Sequence, residues 1–195
     1  MQSVRSDLGI TSIYNWMKVK DVRTFLLGGE TIHHPLVIET MIAIKPTKLK
    51  DFSSLMQLDV QKEQIGFAKP FEQAYQKRNK SEVFFTIYSD YLTVGYLIID
   101  KGFAQHAPFA MRHELGLNYL MIDRRFQRQG IGAEALKKLF VYAYTIDPES
   151  TSLCVTVPNS HQGALDFFLA CGFTNTEKAI YGEQEKEWLM RHPLG

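Results

Sequence analysis

The stretch YLMIDRRFQRQGIGAEALKKLF, from Tyr119 to Phe140, decides how this chain folds. It opens with apolar residues typical of a strand, passes through a polar loop with two glycines, and ends in a segment with helical periodicity. Glycine can adopt positive φ and lets a ligand approach the main chain. The amides at a helix N-terminus can bind an anion. Gly130 and Gly132 therefore predict a phosphate-binding loop, followed by a helix from about Gly132 to Tyr144.

The loop also carries a local positive charge from Arg124, Arg125 and Arg128. A nucleotide P-loop needs GxxxxGK followed by Ser or Thr, and the sequence contains no such run. GIGAEA at 130–135 matches the dinucleotide pattern GxGxxA, but six residues separate it from Asp123 and no acidic residue ends the next strand. A helix that merely begins at a glycine leaves the arginines and glutamines of the loop unexplained.

The composition indicates an ordinary globular protein. The chain has 195 residues, 45% hydrophobic and 22% charged, with a net charge of +1. This balance provides no general attraction for nucleic acid or anionic lipid, so neither is expected as a partner. No apolar run reaches signal-peptide length or the roughly 20 residues of a membrane span, which predicts a cytoplasmic protein. Cys154 and Cys171 lie outside CxxC or His-rich spacing, so we expect two buried thiols and no metal site.

The first 36 residues differ from the rest and predict a helical extension, followed by one domain over 37–195. Apolar residues between Ile10 and Leu26 recur at helical spacing, and Gly28-Gly29 would end that helix. We expect the helix to pack on the core, with binding of a partner as the alternative. His33 and His34, beside a proline, are predicted to be loop residues.

The remaining sequence predicts strands first and then a strand-helix-strand-helix unit, which indicates a mixed α+β or α/β sheet. The predicted order is a strand that ends before Pro46, two short helices, a hairpin, a further strand, the loop and its helix, another strand and helix, and a closing hairpin. The ranges are 48–58 and 71–80 for the short helices, 83–100 for the hairpin, then 117–123, 152–157, 162–171 and 174–194, with Gly182 at the last turn.

The segment Gln127-Arg128-Gln129-Gly130-Ile131-Gly132 resembles the Q/R-x-x-G-x-G/A pyrophosphate loop of the GNAT N-acetyltransferase superfamily. Four blocks between residues 38 and 193 also resemble the bacterial diamine and polyamine (spermine/spermidine) N-acetyltransferases. These blocks are 58–76, 84–98, 120–136 and 172–190. The resemblance implies the α/β (α+β) GNAT fold, in which a mixed, mostly antiparallel central sheet has a splayed central strand and flanking helices.

The resemblance further implies acetyl-CoA as co-substrate and a small-molecule primary amine, such as a polyamine or diamine, as acceptor. Main-chain groups around Met121 and Ile122 would hold the pantetheine arm, and the amides from Arg128 to Ala133 would bind the pyrophosphate. The amine would attack the thioester directly, without a covalent enzyme intermediate. A homodimer is also expected. An aminoglycoside, an amino acid or a protein N-terminus are alternative acceptors, and a non-catalytic acyl-CoA-binding module or an interaction protein is an alternative function.

The catalytic base departs from the family pattern. Some relatives carry a glutamate nine residues before the loop, and that position is Asn118 here. An amide cannot accept the proton, but it can hold a water that relays it. Glu114 is the nearest carboxylate upstream, either a solvated loop acid or a catalytic residue. Four acidic residues are candidates for attracting a cationic amine: Glu72, Glu82, Asp90 and Glu114.

The leaving-group acid departs from the pattern as well. When Ala164 is aligned with the family's alanine, His161 replaces an asparagine and Phe168 replaces a tyrosine near the thioester sulfur. A phenyl ring cannot donate a proton, although a thiolate leaves readily near neutral pH because thiols have a pKa of about 8.5. Asn159 is the candidate for the missing amide. Phe168 has an alternative interpretation as a core residue.

Overall fold

The computed structural model describes residues 22–27, 30–35, 40–61, 64, 69–182 and 185–194. The chain divides into two units, residues 1–39 and residues 40–195. Within the first unit, β1 (Val22–Leu27) pairs antiparallel with β2 (Glu30–Pro35), and Leu27 lies opposite Glu30.

The helix predicted in this unit is wrong for Val22–Leu27. This segment reads VRTFLL, in which valine, threonine and phenylalanine all favour strands. Gly28-Gly29 is a plausible helix stop from the sequence, but a glycine pair is also a typical two-residue connection of a β-hairpin. His33 and His34 were predicted in a loop and instead belong to β2. The rest of the predicted helix, residues 10–21, lies outside the described residues.

The second unit contains a seven-stranded sheet in the order β3-β4-β5-β6-β7-β9-β8. Among the described strands of this sheet, β6 and β7 are parallel and all other neighbours are antiparallel. The predicted mixed, mostly antiparallel sheet is confirmed. The strands are β3 (Ile42–Pro46), β4 (Glu82–Ser89), β5 (Leu92–Asp100), β6 (Glu114–Ile122), β7 (Ser152–Pro158), β8 (Thr174–Tyr181) and β9 (Lys186–Pro193).

Helices flank this sheet, as predicted. They are α1 (Phe52–Leu55), α2 (Phe71–Gln76), α3 (Phe103–His106), α4 (Ile131–Ile146) and α5 (Gln162–Ala170), with 3₁₀ turns at Leu49–Asp51 and Arg124–Phe126. The longest described helix, α4, buries one apolar stripe that includes Ile131, Leu139 and Ala143. Within the described residues, no helix is long and apolar enough to cross a membrane.

Strand β5 lies at the centre of the core and is covered on both faces. Val94, Leu97 and Ile99 belong to the cluster that includes the buried residues of α4 and α5. Tyr96 and Ile98 belong to a second cluster, with Leu55 of α1 and Phe71 of α2. Burial on both faces explains the nearly continuous apolar run of β5.

A buried ion pair links three strands of the sheet. Glu114, the first residue of β6, is fully buried and accepts hydrogen bonds from Arg191 Nε at 2.5 Å and Ser152 Oγ at 2.9 Å. The amide of Met111 donates a further bond to its carboxylate at 2.7 Å. Arg191 belongs to β9 and lies opposite Cys154, so the ion pair crosses β7. The pair thus ties β6 to β9 where β6 and β7 are still hydrogen-bonded.

Burial alone would raise the pKa of Glu114, but the bonds from Arg191, Met111 and Ser152 outweigh it and hold the pKa below the usual value. The interpretation of Glu114 as a solvated loop acid is therefore wrong. Cys154 is buried as predicted, whereas Cys171 is only partly buried.

Replacing Arg191 with Met should lower the free energy of unfolding by about 3 kcal/mol, because it leaves the Glu114 carboxylate buried without its partner. Urea unfolding at pH 7 measures this change. Since the folded-state pKa of Glu114 is lowered, the stabilisation is present above a carboxyl pKa of about 4.3 and is lost as pH falls through the lower folded-state value. The difference between wild type and variant should therefore shrink in acid.

The matched control is Lys137→Met, which breaks an exposed ion pair with Glu134 on α4. Solvent screens exposed ion pairs, so they contribute little to stability and this variant should unfold close to the wild type. Equal unfolding midpoints for Arg191→Met and Lys137→Met would contradict the structural role of the buried pair.

Candidate active site

A cleft opens where β6 and β7 separate. Their parallel pairing joins Glu114 to Ser152, Leu115 to Leu153 and Gly116 to Cys154, and then it ends. Beyond Gly116, β6 continues with β5, and β7 continues with β9. The cleft at this point has a volume of about 240 Å³ and is lined by Glu82, Phe103, Leu117, Asn118, Tyr119, Cys154, Val155 and Thr156.

A β-bulge places Asn118 at this cleft. Ile98 of β5 lies opposite Tyr119 and Ile99 lies opposite Leu117, so Asn118 is the extra residue of β6. Its side-chain Nδ2 donates to Oε1 of Glu82 at 2.7 Å. The structure thus brings the predicted candidate Asn118 together with a carboxylate 36 residues away in sequence.

Beyond the bulge, the outer main-chain edge of β6 faces the cleft. The amide of Asp123 donates a hydrogen bond to the carbonyl oxygen of Val94 of β5 at 2.8 Å. The alternation of an antiparallel pair then directs the main chain of Met121 toward β5 as well, and that of Leu120 and Ile122 toward the cleft. A Cβ built on Gly95 would lie 2.3 Å from the Met121 carbonyl oxygen, which agrees with this orientation.

The two predicted pantetheine residues differ in main-chain orientation, because Ile122 is directed toward the cleft and Met121 toward β5. Met121 does not present its main chain to the cleft, and its side chain is buried in the cluster with α1 and α2. The carbonyl oxygen of Ile122 already accepts a bond from Gln127 Nε2 at 2.8 Å. Leu120, which is not among the predicted site residues, also directs its main chain toward the cleft, as strand alternation counted from the loop would have indicated.

The loop after β6 offers main-chain donors in an anion-binding geometry. Arg128 and Gly130 have φ of 58° and 78°, both in the left-handed region. The first main-chain bond of α4 runs from the amide of Glu134 to the carbonyl of Gly130. The amides of Ile131, Gly132 and Ala133 precede it and carry the partial positive charge of the helix N-terminus. This geometry suits a phosphate.

The polar side chains of the loop mostly hold the loop itself. Gln127 Nε2 also donates to Gln64 Oε1 at 2.8 Å, and Gln129 Nε2 donates to the carbonyl of Arg125 at 3.2 Å. These two glutamines were predicted as cofactor residues, and their side chains are engaged within the protein. Of the two, only the amide of Gln129 belongs to the run from Arg128 to Ala133 that is predicted to bind the pyrophosphate.

Two of the three arginines are also paired with carboxylates. Arg124 Nε lies 3.2 Å from Asp59, and Arg125 makes two bonds to Asp123 at 2.8 and 2.9 Å. Burial would raise the pKa of Asp123, but its bonds from the Arg125 side chain and amide and from the Asp59 amide lower it overall. Arg128 makes no ion pair within the described ranges, so it is the arginine whose charge is available to a ligand.

The three residues predicted near the thioester make contacts within the protein. His161 is the N-cap of α5, and its Nδ1 accepts a bond from the amide of Ala164 at 3.0 Å. Asn159 Oδ1 accepts from Trp188 Nε1 at 2.6 Å. Phe168 is 7% exposed, and its ring packs 5.1 Å from that of Phe173. The interpretation of Phe168 as a core residue is therefore the one that its surroundings favour.

Of the four acidic candidates, Glu82 lines the cleft. Glu72 on α2 bonds to Gln76, and the carboxylate of Asp90 accepts from the amide of Met41. Glu114 is held in the buried ion pair, and its lowered pKa makes it a weak base.

Cys154 also lines the cleft, but it is a poor nucleophile. Burial is the largest of the effects that raise the pKa of Cys154 to about 12, so its reactive thiolate form is scarce near neutral pH. In the part of the chain that the structure describes, no group of three His, Cys, Asp or Glu residues could hold a metal ion. Direct attack on a bound acyl donor therefore fits these residues better than chemistry on a cysteine.

The splayed parallel strands and the amide-rich loop suit an extended ligand that ends in a phosphate. The sequence matches the model of the acetyltransferase (GNAT) family over residues 52–173. This match covers more than half of the chain, which therefore belongs to the GNAT family of N-acetyltransferases. Enzymes of this family use acetyl-CoA. No curated protein matches this sequence.

Solved structures of diverse acetyltransferases share the fold. The ribosomal-protein-S18-alanine N-acetyltransferase of Escherichia coli is 18% identical, with a TM-score of 0.56, and the match covers 80% of this chain and 95% of that one. Spermidine N-acetyltransferase from Vibrio cholerae, in complex with CoA and spermine, is 14% identical, with a TM-score of 0.60. The match covers 78% of this chain and 95% of that one. An aminoglycoside acetyltransferase in complex with coenzyme A and kanamycin is 13% identical, with a TM-score of 0.65. The match covers 78% of this chain and 95% of that one.

The residues of this chain fit acetyl-CoA. The outer edge of β6 at Leu120 offers main-chain groups to an extended arm, and the amides of 131–133 offer donors to a pyrophosphate. A Cβ built on Gly130 would meet no atom within 4 Å, so a ligand has room to approach there. When bound, acetyl-CoA supplies the activated acetyl group.

Replacing Gly130 with Val should weaken CoA binding about tenfold. A side chain at φ 78° is strained by about 1–2 kcal/mol, and relief of that strain would turn the loop amides away from the phosphate. Gly132 is a less clean test, because a Cβ there would lie 3.2 Å from Phe167 and disturb helix packing as well. Calorimetric titration with CoA measures the change.

Gly163→Ala on α5 is the control, since a Cβ at Gly163 meets only the His161 ring, at 4.0 Å. It should leave CoA affinity unchanged. Equal affinities for Gly130→Val and Gly163→Ala would refute the assignment of the loop to the pyrophosphate.

Phe168→Tyr should leave the pH dependence of turnover unchanged, because the ring lies in the core. The added hydroxyl would be buried among phenyl rings, so the free energy of unfolding should fall by about 1–3 kcal/mol. Initial rates between pH 6 and 9, together with urea unfolding, test both points. Faster turnover at low pH would instead indicate that the position faces the leaving thiol.

Proposed function

We propose that this N-acetyltransferase acetylates the primary amine of a small molecule, and that diamines and polyamines are its preferred class of acceptor. The observation that carries the proposal is the carboxylate of Glu82 beside Asn118, at the point where β6 and β7 separate. A negative group in this cleft attracts a cationic amine to the end of the acyl-donor site.

The resemblance of four sequence blocks to polyamine acetyltransferases supports the same acceptor class. The similar structures act on a protein, a polyamine and an aminoglycoside according to their names, and at 13–18% identity they bear on the fold alone. The acceptor is therefore proposed from the cleft and the sequence blocks.

The chemistry proceeds by positioning and proton transfer. The thioester carbonyl would lie where the β6 edge turns at the bulge, with the amine entering beside Glu82. The amine nitrogen bonds to the acetyl carbon, the carbon–sulfur bond breaks, and the thiolate takes up a proton from solvent. A primary amine with a pKa of about 10.4 is only about 0.1% unprotonated at pH 7.4, so removal of its proton is a large part of the barrier.

The test is thiol release from acetyl-CoA with a panel of spermine, spermidine, short diamines, aminoglycosides and amino acids. We expect amine-dependent release that is fastest with the polyamines or diamines, and none with heat-denatured protein. A clear preference for aminoglycosides or amino acids would contradict the proposed acceptor class. If no amine of the panel causes thiol release while CoA still raises the melting temperature, the result would contradict a small-molecule acceptor.

A further inference from the structure

A base has to accept the proton of the amine. At the position where some relatives carry a glutamate for this purpose, this chain has Asn118. Asn118 cannot take a proton, but its Nδ2 donates to Oε1 of Glu82 at 2.7 Å. Glu82 belongs to β4, two strands away from β6 in the sheet, and its side chain reaches the cleft across the end of β5. This carboxylate lines the same cleft as Asn118, where β6 and β7 separate.

We propose that Glu82 is the general base of the acetyl transfer, and that Asn118 is a positioning residue that orients its carboxylate. The inference rests on the proposed function. In the step that Glu82 catalyses, the ammonium form of the acceptor gives one proton to the carboxylate, directly or through one water. The freed nitrogen lone pair then forms the bond to the acetyl carbon. As the carbon–sulfur bond breaks, the nitrogen loses its second proton to solvent, and Glu82 later returns the first proton to solvent.

Two hydrogen bonds fix the carboxylate of Glu82. Oε1 accepts from Asn118, and Oε2 accepts from the amide of Asn79 at 3.0 Å. Each oxygen keeps a further lone pair for a proton or a water. Both donors are neutral groups, so the carboxylate is held in place without a cationic partner among the described residues. Glu114 differs in this respect, because Arg191 neutralises it.

The bulge explains why Asn118 can act in this way. An ordinary antiparallel register would give residue 118 a partner on β5, whereas here the register passes from Leu117 to Tyr119. Bulges re-aim single side chains and are frequent at active sites. The Asn118 amide therefore joins a carboxylate of β4 to the site at which β6 leaves β7.

Other titratable groups lie near Glu82. Asp100 lies opposite it on β5, and the Asp100 carboxylate is bonded to Ser81 and to His106 of α3. Tyr119 of β6 and Cys154 of β7 line the same cleft. The Cys154 thiol is kept protonated by burial. The Asp100 carboxylate also accepts a hydrogen bond from the amide of Gly102. Glu82 is thus the carboxylate of this group that faces the cleft.

The experiment compares Glu82→Gln with wild type, using kcat/KM for spermidine from pH 6.5 to 10. Glutamine keeps the shape of the side chain and an oxygen that accepts from Asn118, but it cannot take a proton. We expect a loss of about 10² to 10⁴ at pH 7.5. The loss should shrink as pH approaches the amine pKa of about 10.4, where the free amine needs no base. CoA binding should remain unchanged.

Glu72→Gln is the matched control, because this glutamate lies on α2 and bonds to Gln76. It should retain wild-type kcat/KM at every pH. Should Glu82→Gln not fold, Glu82→Asp keeps the charge but withdraws it by one methylene, and a loss of at least about tenfold with the same pH dependence is expected.

Three outcomes would overturn the inference in distinguishable ways. Full activity of Glu82→Gln beside an active wild type would exclude Glu82 as the base. A loss of equal size at every pH would indicate that Glu82 binds the amine without accepting its proton. A wild type that is inactive on spermidine and on the other amines of the panel would overturn the proposed function, and this inference with it.

Discussion

The parallel pairing of β6 and β7 ends after three residues, and the site depends on that interruption. Each of the two strands pairs with a different strand on its other side. β7 pairs with β9 from Ser152 to Pro158, and β6 follows β5 through the bulge at Asn118 to Ile122. Neither strand can follow the other, so the facing main-chain edge of β6 is left without a strand partner. Main-chain groups that no strand pairs can hydrogen-bond to an extended ligand, which makes this edge a place for one.

Polar side chains fix the two ends of this opening. At the closed end, the buried pair of Glu114 and Arg191 ties β6 to β9. At the open end, Gln127 and the pair of Asp123 and Arg125 hold the loop against the end of β6. These charged and amide groups form the frame of the site. The groups left to meet a ligand are main-chain amides, Arg128 and the cleft side chains, so the frame is preorganised before a ligand arrives.

Local signals in the sequence predicted most of the second unit. Strand, loop and helix around Gly130 follow from apolar periodicity and from glycine at a helix N-terminus, and both are properties of neighbouring residues. The N-terminal hairpin was mispredicted because the segment up to Gly28-Gly29 has both helical spacing and β-prone residues. A periodic pattern that short does not distinguish the two, and the pairing of β1 with β2 decided between them.

The pairing of side chains in the site could not be predicted from neighbouring residues in the sequence. Arg124 meets Asp59, Glu82 meets Asn118, and Glu114 meets Arg191, and each pair is brought together by the sheet from distant parts of the sequence. The sequence placed three arginines in the loop, but their available charge depended on carboxylates elsewhere. For the same reason it offered Glu82 and Glu114 as equal acidic candidates, whereas strand order separates a cleft residue from a buried one.

Hydrogen–deuterium exchange of the main-chain amides, with and without CoA, tests the central claim most directly. The claim is that the free edge of β6 and the N-terminus of α4 together hold the acyl donor. CoA should slow exchange at Leu120 and at the amides of residues 128–133, and leave the amides of β8 unaffected. Protection confined to other parts of the chain, with these amides exchanging as in the free protein, would contradict the account.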